Sequence, residues 1–223
     1  MKQILEVDSV ILDFGSKRIL QNVYLKCETG KITGLLGRNG TGKSCLMKII
    51  FGELAPNDKS VRLNGNAIHH KKRSPEDIRY LPQGRFVPKS LSIQRIFKDF
   101  ELDFEDFAGE FPGLKRLHLK RFGSLSGGEQ RIVEIYMILA SKTKFCMLDE
   151  PFSQVMPLHV ESIKRLIVRE KENKGIIITD HLYQHIVDIC DQLYVINNGK
   201  TYLTKGIQDL ETLGYVRMNG QSR

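Results

Sequence analysis

The sequence predicts an α/β fold. Its central sheet is mostly parallel, an antiparallel β segment precedes it, and a helical segment is inserted midway. Three observations lead there. Continuous apolar runs at 32–36, 145–148 and 176–179 read as strands buried on both faces. Stretches with helical spacing follow them, at 46–50, 159–171 and 182–190. Residues 90–141 break this alternation with helical periodicity alone. The chain has 223 residues, 41% hydrophobic and 27% charged, enough for one large domain with an inserted lobe.

Each element has its own signal. Residues 4–14 and 18–26 form two strands joined by a turn at Gly15-Ser16. A second turn, Glu28-Thr29-Gly30, leads into the apolar run at 32–36. Leu46, Met47, Ile49 and Ile50 then share one helix face. Short strands follow at 61–65 and 78–81. In the helical segment, Ile93, Ile96, Phe97 and Phe100 mark one helix, and Ile132, Ile135, Tyr136 and Leu139 another. Val160, Ile163, Leu166 and Ile167 line one side of the helix from His159 to Lys171. Residues 193–196 and 201–203 make a closing hairpin around Asn197-Asn198-Gly199. The expected division is one domain over 1–223, with an α/β core of 1–89 and 142–223 and an inserted helical subdomain of 90–141.

Composition excludes some classes. No apolar run reaches the roughly 18 residues of a membrane span, and the first residues alternate like a strand rather than a signal peptide. A cytoplasmic chain is expected. The four cysteines, Cys27, Cys45, Cys146 and Cys190, are scattered and read as buried free thiols. The net charge of +8 fits nucleic acid, an anionic membrane surface or simply a polyanionic nucleotide. The basic clusters at 69–73 and 115–121 lack the interleaved aromatics of a base-stacking surface and read as solvated faces. No direct nucleic-acid partner is expected.

The octet Gly37-Arg38-Asn39-Gly40-Thr41-Gly42-Lys43-Ser44 fits the phosphate-loop pattern GxxxxGK[ST], between a strand and a helix as that loop requires. Its glycines let backbone N–H groups turn inward around a phosphate, and the helix start adds a positive dipole end. Lys43 supplies a mobile positive charge for the β- and γ-phosphates, and Ser44 a hydroxyl for Mg²⁺. The fold class is thereby a P-loop NTPase.

In the second half, Phe145 to Leu148 deliver Asp149 and Glu150. Beside a phosphate loop, Asp149 can hold Mg²⁺ and Glu150 can polarise an attacking water; alone, the same residues read as a strand running into an acidic turn. Leu125-Ser126-Gly127-Gly128-Glu129-Gln130 opens a helix. Its start is either a second anion site or a plain cap on Ser126.

Taken in order, these motifs resemble the ATP-binding cassette (ABC) ATPases over nearly the whole chain. The order runs phosphate loop, Gln83 after a strand like the Q-loop, the LSGGE signature, Asp149-Glu150 like the Walker B strand end, and His181 like the switch histidine. Phe14 stands where the family carries an aromatic that stacks on adenine. The wording from Leu148 to Phe152 is similar to ATPases of lipopolysaccharide exporters and branched-chain amino-acid importers.

The resemblance implies ATP and Mg²⁺ as ligands. Nucleotide binding falls to Phe14, Gly37, Asn39, Gly40, Thr41, Gly42, Lys43, Ser44, Cys45, Ser126, Gly127 and Gly128. Ser44, Gln83 and Asp149 belong to the metal site, and Lys43, Gln83, Glu150 and His181 to catalysis. The resemblance further implies a homodimer or a pairing with a sister ATPase, in which one copy's signature caps the γ-phosphate held by the other. Separate transmembrane subunits would hold the chain on the inner face of the cell membrane. Phe86, Val87, Pro88, Leu91 and Ile93 are candidates for the groove that receives them, or for core. A soluble ATPase of iron–sulfur assembly and an attenuated ATP-binding regulator are the alternatives.

Two positions depart from the family. Cys45 replaces the usual Thr and removes a hydroxyl that can bond the α-phosphate, about 1 kcal/mol of binding. Met156 stands where the D-loop usually has Asp, which is expected to weaken coupling between paired sites.

Overall fold

The computed structural model describes residues 2–68, 74–204, 207–213 and 215. The basic cluster at 69–73 lies outside them. Two sheets carry the described chain. The first is antiparallel, with strand order β2-β1-β4-β5, from β1 (Ile4–Phe14), β2 (Lys17–Glu28), β4 (Asp58–Leu63) and β5 (Asn66–Ala67). The second has the order β10-β9-β3-β8-β7-β6. It comprises β3 (Ile32–Gly37), β6 (Ile78–Leu81), β7 (Phe145–Asp149), β8 (Gly175–Thr179), β9 (Gln192–Asn197) and β10 (Lys200–Thr204). All its neighbours run parallel except the closing β9–β10 hairpin.

The apolar strands are buried on both faces because each face meets a different layer. Phe145, Met147 and Ile177 turn toward helix α1 (Lys43–Phe51) and the antiparallel sheet. Cys146, Leu148, Ile176 and Ile178 turn toward α4 (Gly127–Ala140), α5 (Pro157–Glu170) and the helical segment. That segment also holds α2 (Ile93–Asp99) and α3 (Phe104–Glu110), capped by the side chains of Ser92 and Asp103. Phe97, Phe104, Phe107 and Tyr136 form an aromatic knot with ring centroids 5.1–5.9 Å apart. This knot is continuous with the core under the sheet, so the segment is rooted by α4 rather than hung from a linker. Lys174, 2% exposed, ties the end of α4 by donating to the carbonyls of Leu139 and Ser141.

Some sequence expectations shift. The helix expected at 182–190 is shorter, α6 (Tyr183–Val187): before it Leu182 N donates to Asp180 Oδ1 at 2.9 Å, and after it Asp191 N donates to Ile32 O at 2.8 Å as the chain enters β9. A further helix, α7 (Ile207–Thr212), follows β10. Cys27 and Cys146 are buried thiols as expected; Cys45 and Cys190 are only half-buried. Among the described residues no helix is long and apolar enough to cross a membrane.

Candidate functional site

The loop between β3 and α1 is shaped by its glycines. Gly40 and Gly42 sit at φ 78° and 100°, a backbone that side chains with a Cβ rarely adopt. A Cβ on Gly42 would also stand 2.8 Å from Leu20 Cδ2. Lys43 Nζ folds back on the loop, donating to the carbonyls of Gly37 at 2.7 Å and Arg38 at 3.3 Å. Burial pushes the Lys43 ammonium below its ordinary pKa, against Glu150, Asp149 and Asp180, which raise it.

A cavity of about 630 Å³ opens over this loop. It is lined by Asn39, Gly40, Gly42, Lys43, Ser44 and Cys45 from the loop, and by Phe14, Gln83, Glu150 and His181 from four other places in the chain. Thr41 lines a neighbouring cavity, and Asp149 lies beneath the floor, 1% exposed. The Phe14 ring, 52% exposed, is free to lie against a flat ligand. Ser126, Gly127 and Gly128 are not part of the lining. Ser126 is the helix cap: its Oγ accepts from Glu129 N at 3.3 Å, and Glu129 Oε2 accepts from Ser126 N at 2.8 Å.

Opposite the lysine stands a polar cluster. Glu150 takes φ 51°, a left-handed conformation held by its N–H donating to Thr179 O at 2.7 Å. Its Oε2 accepts from Gln83 Nε2 at 2.8 Å and Ser153 Oγ at 3.2 Å, and lies 3.8 Å from His181 Nδ1. Thus Gln83, Glu150 and His181, expected to act together, do converge. His181 Nδ1 also lies 3.2 Å from Asp180 Oδ1.

The Asp149 carboxyl is pushed up by burial and pulled back by the hydroxyls of Ser44 and Tyr80. Its Oδ2 accepts from Tyr80 at 3.1 Å, whereas Oδ1 is buried without a hydrogen-bond partner. A buried carboxylate oxygen left open beside a serine hydroxyl is what a Mg²⁺ site needs, so the residues present fit the metal.

Several contributors were not read from the sequence. Arg131, 4% exposed in α4, donates to the carbonyls of Pro82 at 2.8 Å, Asp149 at 2.7 Å and Glu150 at 3.0 Å. Glu134 Oε1 accepts from Phe86 N at 3.1 Å and Val87 N at 3.4 Å. Arg85 donates to Gly127 O at 3.2 Å, to Gln130 and to Gln154 Oε1 at 3.2 Å. The start of α4 therefore frames the Gln83 loop on both sides. The available signal was a pair of charges set among Ile132, Val133 and Ile135, where a buried helix face should be apolar.

The expected partner groove needs correction. Val87 and Ile93 are buried, because Glu134 draws the 86–87 backbone inward and Ile93 begins a core-facing helix. Of the five candidates only Phe86 lines the 430 Å³ groove beside them, with Phe51, Arg79, Tyr80, Phe100 and Ile138 among its walls.

Fold and site together define a P-loop nucleotide-binding protein. Residues 20–153 match the ABC transporter family. The chain belongs to that family, whose cassettes are ATPases. It is 30% identical over 217 residues to the lipopolysaccharide export system ATP-binding protein LptB of Haemophilus influenzae, covering 90% of each chain. It is 32% identical over 221 residues to that of Acidithiobacillus ferridurans, covering 92% of this chain and 91% of the relative. Among solved structures, an ATP-binding subunit of an ABC transporter superposes with TM-score 0.78 at 21% identity, covering 95% and 94% of the two chains.

Proposed function

We propose that this chain is the ATP-hydrolysing subunit of a membrane transporter, working as a dimer whose two copies complete each other's nucleotide sites. The observation that carries this reading is the placement of the two anion-binding helix starts. The phosphate loop lines the cavity, while Ser126, Gly127 and Gly128 of the same chain do not. A second copy supplying its Ser126 helix start would bring a second set of N–H groups to the γ-phosphate. ADP lacks that phosphate, so ATP favours the paired state and hydrolysis releases it.

Within the site, Lys43 and the loop amides hold the β- and γ-phosphates, and Phe14 takes the adenine. Cys45 offers its N–H but no hydroxyl to the α-phosphate. Ser44, Asp149 and Gln83 would hold Mg²⁺, which neutralises charge on the phosphates. Glu150 accepts a proton from the attacking water, with Gln83 and His181 fixing its carboxylate. Phe86 and its groove are the docking place for a transmembrane partner. The similarity to lipopolysaccharide export ATPases makes a lipid-linked glycan exporter the transporter class to test first. Met156 and Cys45 favour a second reading, an attenuated ATP-binding regulator, which a phosphate-release assay separates from the first.

Glu150→Gln is the direct test. The variant is expected to bind ATP, accumulate as a dimer in size-exclusion chromatography with light scattering, and release no phosphate. A monomer at saturating Mg-ATP, or turnover at the parent rate, refutes the proposal.

A further inference from the structure

We infer that Tyr80 is a positioning residue for the metal site, setting which oxygen of Asp149 is offered to Mg²⁺. This rests on the reading of Asp149 as a metal carboxylate and adds a residue to it.

Tyr80 lies in β6, which pairs in parallel register with β7, so Tyr80 sits opposite Met147, two residues before Asp149. Both side chains are buried, at 5% and 1% exposure. Tyr80 Oη donates to Asp149 Oδ2 at 3.1 Å, and Oδ1 of the same carboxyl is left buried without a hydrogen bond. A carboxylate free to rotate would exchange its two oxygens; the phenol removes that freedom. The ring itself is held. It packs on Phe51 with centroids 5.4 Å apart, and Phe51 ends the helix that begins with Lys43 and Ser44. One side chain thus braces the carboxylate against the helix that carries the serine of the same site. The same ring forms part of the wall of the Phe86 groove, so the groove and the metal carboxylate are one residue apart.

The test compares the parent chain with Tyr80→Phe and Phe97→Leu. Affinity for a non-hydrolysable ATP analogue is measured by calorimetry in EDTA and in Mg²⁺, and phosphate release is followed against Mg²⁺ concentration. Tyr80→Phe is expected to raise the half-saturating Mg²⁺ concentration by about tenfold to a hundredfold. It should lose most of the Mg²⁺-dependent gain in nucleotide affinity while keeping the affinity in EDTA. Phe97→Leu, in the aromatic knot of the helical segment, should keep both within about twofold. The ratio of affinities is internal to each protein, so lowered stability in a variant does not mimic the effect. An unchanged Mg²⁺ dependence in Tyr80→Phe, an equal loss of affinity with and without Mg²⁺, or an equal shift in Phe97→Leu overturns the inference. A parent chain with no Mg²⁺ dependence in either measurement overturns instead the assignment of Asp149.

Discussion

Met156→Asp tests how the D-loop departure acts. Met156 is the cap residue of α5, in extended conformation (φ −67°, ψ 142°), and its side chain makes no capping bond. Pro157 at the first helical position has no N–H, and His159 N already donates to Met156 O at 2.9 Å. The N–H of Leu158 is therefore the donor an aspartate at 156 could reach. A capping carboxylate in place of a non-capping side chain stabilises by roughly 0.5–2 kcal/mol, and the helix dipole adds to this. Met156 is 55% exposed, so its removal uncovers no core. For a chain of this length about 1 kcal/mol moves the thermal midpoint by roughly 2–4 °C. The expected result is a rise of that size in a calorimetric scan, together with a higher, more cooperative ATPase rate. An unchanged or lowered midpoint refutes the capping argument; a raised midpoint with unchanged rate and cooperativity refutes the link to coupling between sites.

Other outcomes follow from the same geometry. Arg131→Met removes the guanidinium that lies 3.8 Å from the buried Glu134 Oε2 and strips donors from three carbonyls. A loss of about 3–5 kcal/mol is expected in urea unfolding, and a change under about 1 kcal/mol contradicts it. Ser126→Ala removes one half of the capping box, and about 1 kcal/mol of stability should go with it, with nucleotide binding to a single copy unchanged by calorimetry. The ammoniums of Lys26 and Lys31 hold the Glu28 carboxyl at about 2, below its ordinary 4.5. Because that pKa is depressed on folding, its stabilisation is complete above about pH 4.5 and is lost as pH falls toward 2. Glu28→Gln should shrink the stability difference between pH 7 and pH 3, read by urea unfolding at both.

Much of the candidate nucleotide site was legible in the sequence because its chemistry is local. A phosphate loop must have glycines where φ is positive and a lysine at the helix start, and Gly40, Gly42 and Lys43 state this in consecutive letters. Buried parallel strands were equally legible, since burial on both faces leaves an unbroken apolar run. Ser126 kept both of its readings: the structure makes it a helix cap, and the same exposed helix start remains the expected contact for a second copy.

What the letters alone indicate is which groups are suited to a triphosphate, because backbone freedom and side-chain charge are properties of the residue itself. What only the tertiary structure decided is how those groups are held. Tyr80 on Asp149, Arg131 across three carbonyls and Glu134 under the Gln83 loop are contacts between residues 18 to 69 positions apart. No periodicity in the chain encodes such pairings; they arise where β6, β7 and α4 are packed against one another, and burial there makes an unpaired polar group costly.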